Sequence, residues 1–193
     1  MTLPTFTDFT GATGPPTQRS CGDAFDAWKN FGGLTVDEAY QRFCENAERY
    51  QEDFMFMGDA AFVFCFPVVE KYIREEEPNF KLDIYPNKTP FDGETHILAA
   101  CIDFHVSEKQ PDVRPLYDRI VDLCCFVLES MENVPDSPHR SWQPSEIKQV
   151  WTQLLLKTLA RKREVAAEQA RVKEVVRAAR RKNAKKRRRD PPF

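Results

Sequence analysis

The stretch that decides the fold is Asp59-Ala60-Ala61-Phe62-Val63-Phe64-Cys65-Phe66-Pro67-Val68-Val69-Glu70-Lys71-Tyr72-Ile73-Arg74-Glu75-Glu76-Glu77. From Ala60 to Val69 it is apolar nearly all round, which suits a buried strand as well as a buried helix. Its continuation, Glu70 to Glu77, is made of good helix formers and tips the reading to helix. Asp59 has N-cap chemistry, and helical spacing places Phe62, Phe66, Val69 and Ile73 on one face. The segment is therefore expected to be the central helix of a core, with Pro67 kinking it or sitting near its first turns.

Working toward the N-terminus, Thr35-Val36-Asp37-Glu38 fits a capping box, in which each end side chain bonds the other residue's amide. Val36, Ala39/Tyr40, Phe43/Cys44, Ala47, Tyr50 and Phe54 then recur at helical spacing, with Arg42, Glu45, Glu48, Arg49 and Glu52 on the opposite side. One helix is expected there, interrupted by Gly58-Asp59. A shorter helix is expected over Asp23 to Phe31, with Phe25 and Trp28 on one side and Gly32-Gly33 closing it. Residues 1–20, rich in Thr, Pro and Gly, read as a flexible lead-in that Phe6 and Phe9 could tether.

Toward the C-terminus, residues 78–93 have loop chemistry (Pro78, Pro86, Asn87, Pro90, Gly93), and the alternation Phe80, Leu82, Ile84 leaves room for one short edge strand. Helix resumes near Thr95 through Ile97, Leu98, Cys101, Ile102 and His105. A Pro111/Pro115 linker follows, then a helix from about Arg114 to Met131, then a second loop over Asn133 to Pro144. Pro144 at a first helical position and Glu146 in the first turn begin the last helix, patterned through Ile147, Val150/Trp151, Leu154/Leu155 and Thr158/Leu159. Beyond Leu159 its apolar residues thin to Val165, Val172, Val175/Val176 and Ala179, while helix formers continue to about Ala184. The fold class is all-α: a globular domain of five or six helices over residues 21–160 and a long basic C-terminal helical extension over 161–193, disordered at its end.

Composition agrees. Fifteen Phe and 41% hydrophobic residues can fill a core, and seven Gly are few for a fold that must turn at short intervals. No apolar run approaches the roughly 18–20 residues that span a bilayer. Met1 to Pro16 has neither a basic n-region nor an apolar h-region, so an intracellular location is expected, cytoplasmic or, in a eukaryote, nuclear. In that setting Cys21, Cys44, Cys65, Cys101, Cys124 and Cys125 read as free thiols, mostly buried. No Cys-x-x-Cys pair exists, and Cys124 and Cys125 would point about 100° apart on a helix, which argues against zinc.

Charge is divided. Lys157–Phe193 holds 15 Lys/Arg and 4 Asp/Glu, a net of +11, out of totals of 28 and 30, which leaves the residues before it with 13 basic and 26 acidic side chains and a net of −13. An acidic body with a basic arm points to a phosphate-bearing partner. The candidate nucleic-acid-binding residues are Arg161, Lys162, Arg163, Lys173, Arg177, Arg180, Arg181, Lys182, Lys185, Lys186, Arg187, Arg188 and Arg189. On a helix Lys173, Arg177 and Arg180/Arg181 lie along one side, where they can follow a phosphate row. No aromatic residue lies between Trp151 and Phe193, so the arm has nothing to stack on single-stranded bases. Other readings of the run are a nuclear-import signal, docking onto the chain's own acidic body, and adhesion to anionic lipid, for which its apolar face is too small.

Catalysis finds little support. Asp92, Glu94, His96, Asp103 and His105 are close in sequence, but His105 turns away from the side that His96 and Asp103 share. Neither a Glu-x-x-His pair for a dinuclear site nor a Gly-x-Ser-x-Gly elbow occurs. No catalytic residue, metal or cofactor is assigned, and a small metal-dependent enzyme is the weaker alternative. The expected function is a non-catalytic binding or adaptor protein whose basic tail contacts nucleic-acid phosphates non-specifically and whose acidic body contacts a protein partner, Phe54-Met55-Phe56-Met57 offering an adaptable surface. The alternative is a protein-neutralising or scaffold module whose acidic body imitates phosphate to occupy a basic partner.

Overall fold

The structure, a computed structural model, describes residues 2–11, 22–80, 93–107, 111–136 and 143–189, with the side chains of 76–80, 93, 111–112 and 181–189 outside that description. The chain divides into two compact units, Met1–Thr158 and Leu159–Phe193. In order the helices are α1 (Phe6–Thr10), α2 (Asp23–Phe31), α3 (Val36–Glu45), α4 (Ala47–Tyr50), α5 (Asp53–Phe56), α6 (Asp59–Phe80), α7 (Gly93–Ser107), a 3₁₀ helix (Pro111–Leu116), α8 (Tyr117–Ser130) and α9 (Pro144–Arg189). The protein is all-α, with no strand among the described residues.

The segment from Asp59 is the central helix. Phe62, Phe66, Val69 and Ile73 are all fully buried, and α1, α3, α7, α8 and the 3₁₀ helix pack around α6. Full burial of each such side chain stabilises by about 1.5–3 kcal/mol. Pro67 lies inside the unbroken helix, and α6 continues past Pro78 to Phe80, so the connection expected from residue 78 starts later. Residues 81–92, which hold most of the expected edge strand, lie outside the described residues.

The capping box is present: Glu38 N donates to Thr35 Oγ1 at 3.3 Å and Thr35 N donates to Glu38 Oε2 at 2.8 Å. The single helix expected from Thr35 is instead broken. It stops at Glu45, and Asn46 leaves helical geometry (φ −161°, ψ 76°) to cap α4, its Oδ1 accepting from Arg49 N at 3.1 Å. The break lets the Phe54 ring meet Phe31 and Phe43 in the core.

Part of the lead-in is folded. Thr5 N donates to Asp8 Oδ2 at 2.6 Å to start α1, and Gly11 closes it at φ +66°. Phe6 and Phe9 meet Trp28 edge-on, with ring centroids 5.8 and 5.4 Å away, and Phe9 is fully buried. Gly58 N donates to Phe9 O at 2.7 Å, and a Cβ on Gly58 would overlap the Asp8 carbonyl oxygen, so the close approach of α1 to the start of α6 requires glycine. The Pro111/Pro115 linker is a 3₁₀ helix leading into α8, which therefore begins at Tyr117 rather than Arg114.

Of the five described cysteines, none in a disulfide, Cys65, Cys101 and Cys124 are buried and Cys44 is exposed. Burial pushes the thiols of Cys65, Cys101 and Cys124 up to about 12. Ile147, Trp151, Leu154 and Thr158 complete the core of the first unit from α9.

Candidate nucleic-acid interface

The second unit is the later part of α9. No Gly or Pro interrupts the chain from Ser145 to Arg189, and Ala, Arg, Lys, Glu and Gln dominate it, so intrinsic propensity carries the helix where core burial does not. Arg161 Nη1 donates to Glu164 Oε2 at 2.9 Å, an i,i+3 pair of the kind that adds a few tenths of a kcal/mol. Every residue from Ala166 to Arg180 is exposed.

Helical geometry sorts these residues into two halves. Taking Lys162 as the origin at about 100° per residue, Arg180 falls at about 0°, Lys173 at about 20°, Arg177 at about 60°, Arg163 at about 100° and Arg171 at about 180°. The same half carries Ala166, Ala167, Ala170 and Ala178, with Glu174 its one carboxylate among residues 162–180. On the other half, Val176, Val165, Val172, Ala179 and Val175 lie between about −40° and −140°, together with Glu164, Glu168 and the Arg161 that pairs with Glu164. Val172, Val175 and Val176 are 57%, 68% and 44% exposed.

Five of the thirteen predicted residues (Lys162, Arg163, Lys173, Arg177 and Arg180) thus share one half-cylinder with Arg171, which was not among the thirteen, and Arg161 stands on the other. The remaining predicted residues, Arg181, Lys182, Lys185, Lys186, Arg187, Arg188 and Arg189, lie on helical backbone, and their side chains fall outside the described residues. The alanines between the cations matter physically, because they hold no bulk between the helix axis and a bound surface. The half-cylinder can present positive charge to an anion lattice. No aromatic residue stands on it.

The rival clusters do other work. Asp103 is engaged by Lys157 Nζ at 2.6 Å and by Ser107 Oγ at 3.4 Å. His105 is buried, stacked on Phe62 with centroids 3.8 Å apart, and its Nε2 donates to Phe54 O at 2.9 Å while Nδ1 meets Asp59 Oδ1 at 2.9 Å. A carbonyl only accepts, so Nε2 carries a proton and the ring clasps α5, α6 and α7 together. Among the described residues no group of three His, Cys, Asp or Glu comes together as a metal site. Of Phe54-Met55-Phe56-Met57, Phe54 and Met57 are core residues, and Phe56 is 37% exposed.

Several carboxylates of the acidic body serve its own cations: Glu70 binds Arg74 and Arg119, and Asp122 binds Arg74. Asp37, Glu38, Glu45, Glu48 and Glu52 are exposed. Asp53 accepts from Asn30 Nδ2 at 2.7 Å, yet burial, with Asp26 and Glu52 nearby, raises its carboxyl to about 6 against the pull of Asn30 and Arg49.

No protein family, curated protein or solved structure matches this chain at a significant level. The residues missed in sequence are Arg171, which stands apart from the dense basic clusters, and the partners of His105. Nothing in the spacing pairs it with Asp59, 46 positions away, although Asp59 was legible as a helix start.

Proposed function

We propose that the chain is a non-catalytic binding protein whose basic C-terminal helix holds nucleic acid by its phosphates and whose acidic helical body contacts a protein partner. The observation that supports this reading is the half-cylinder of Lys162, Arg163, Arg171, Lys173, Arg177 and Arg180. It is spaced by alanines, and its residues from Ala166 onward are exposed. Its binding is driven by release of condensed counterions at the phosphates, which carry no sequence information, and no aromatic ring accompanies the cations to stack on bases. The exposed carboxylates Asp37, Glu38, Glu45, Glu48 and Glu52 give the body a negative surface suited to a basic protein partner.

Anisotropy of a labelled duplex tests the reading, comparing the full chain with the same chain carrying Lys162→Gln, Lys173→Gln, Arg177→Gln and Arg180→Gln. Lys173, Arg177 and Arg180 are exposed and Lys162 is half-buried, and Gln is a good helix former, so the variant is expected to fold, which circular dichroism checks. At about 100 mM salt the variant is expected to bind at least about tenfold more weakly. Equal affinity of the two proteins would remove the helix from the binding surface.

A further inference from the structure

We infer that the basic half-cylinder of α9 seats in the major groove of B-form duplex DNA, touching phosphates on both walls, with the valine half facing out of the groove. The inference rests on the nucleic-acid reading above and narrows its ligand from any polyanion to one duplex form. The deciding observation is the width of the cationic arc. Arg171 and Arg180 are nine residues apart and therefore lie on opposite sides of the helix, at about 180°. A helix lying against a single phosphate row, or against a flat anionic surface, uses a narrow arc and leaves one of these two arginines in solvent. A groove presents phosphates on two sides at once, which an arc of about half the circumference matches.

Size agrees. An α-helix with its side chains is about 10–12 Å across, and the B-DNA major groove is about 12 Å wide and about 8.5 Å deep. Ala166, Ala167, Ala170 and Ala178 fill the cationic half between the long side chains, so the backbone can approach the groove floor without a steric stop. The A-form major groove of double-stranded RNA is deep and narrow and does not admit a helix. Glu168 lies on the outward half with the valines, Glu164 flanks Arg171 at the edge of that half and is paired with Arg161, and Glu174 is the single carboxylate turned inward.

The test uses the full chain and duplexes of about 16 base pairs, longer than the roughly 45 Å of helix from Leu159 to Arg189. DNA and RNA duplexes of matched sequence are compared at one salt concentration, with a third duplex whose major groove is filled by glucosylated 5-hydroxymethylcytosine. DNA is expected to bind about tenfold or more tighter than RNA, and glucosylation to remove that advantage. Arg171→Gln and Arg180→Gln, tested singly, are each expected to weaken DNA binding severalfold and to lower the salt slope by about one. Equal binding of DNA and RNA, indifference to glucosylation, or loss confined to only one of the two arginine variants would overturn the groove and leave the phosphate reading standing. Absence of binding to every duplex at about 50 mM salt would remove both.

Discussion

Replacing Asp53 by Asn should stabilise the protein at neutral pH, which is unusual for a hydrogen-bonded carboxylate. Asp53 is half-buried at the start of α5, and burial first, then Asp26 and Glu52, raise its carboxyl from an ordinary 3.8 to about 6, although the Asn30 hydrogen bond and Arg49 oppose the shift. A carboxyl whose folded-state pKa exceeds its unfolded one binds more protons when folded throughout the interval between them. Its contribution to stability is therefore unfavourable above about pH 6, shrinks as pH falls toward 3.8, and vanishes below. The full interval corresponds to about 3 kcal/mol. Water reaches the half-exposed group and screens it, which reduces the expected gain for Asp53→Asn to about 1 kcal/mol at pH 7.5. The amide keeps an oxygen for Asn30 Nδ2, so the 2.7 Å hydrogen bond survives in neutral form. Urea unfolding followed by tryptophan fluorescence should show the variant's midpoint above the parent's at pH 7.5 and level with it near pH 4. A variant that is less stable at pH 7.5, or an offset that does not change with pH, would refute the reasoning.

His105→Ala leaves the Asp59 carboxylate and the Phe54 carbonyl facing a buried void, and a loss of about 3 kcal/mol is expected in the same unfolding experiment. Gly58→Ala drives a Cβ into the Asp8 carbonyl and should cost about 1–3 kcal/mol or release α1, visible as a changed near-ultraviolet signal from Trp28. Iodoacetamide at pH 8 should label exposed Cys44 well before Cys65, Cys101 and Cys124, whose thiols burial holds near 12; mass spectrometry reads the order.

The backbone of this fold was readable because its signals are local. The Thr35–Glu38 capping box, the glycines after Phe31, Pro144 at a helix start and the face shared by Phe62, Phe66, Val69 and Ile73 each involve residues within one or two helical turns. The Asn46 break was not readable. The apolar spacing runs straight through it from Phe43 to Phe54, and only the pull of Phe54 toward Phe31 and Phe43 favours an Asn cap over continued helix. The Thr5–Asp8 start of α1 had a local signal, masked by the Pro- and Gly-rich residues that follow.

The candidate interface was half legible. Composition alone located the basic helix, and the structure adds that Ala166 to Arg180 are exposed. The partition of Arg171, Arg180 and the valines into two halves is geometry that a straight α-helix imposes on the sequence. The clasp of His105 on Asp59 and Phe54 was invisible because it joins residues 46 and 51 positions apart, and no periodicity reports such distances.

The most direct test of the central claim is the dependence of duplex-DNA affinity on salt, measured with the full chain between about 50 and 200 mM. Six helix cations matched to phosphates give a log–log slope of about −5 or steeper and a loss of about a thousandfold over that range. The fourfold Gln variant should retain a slope shallower by about 3–4. A slope near zero, or one the variant shares with the parent, would contradict the assignment of α9 as the nucleic-acid-binding element.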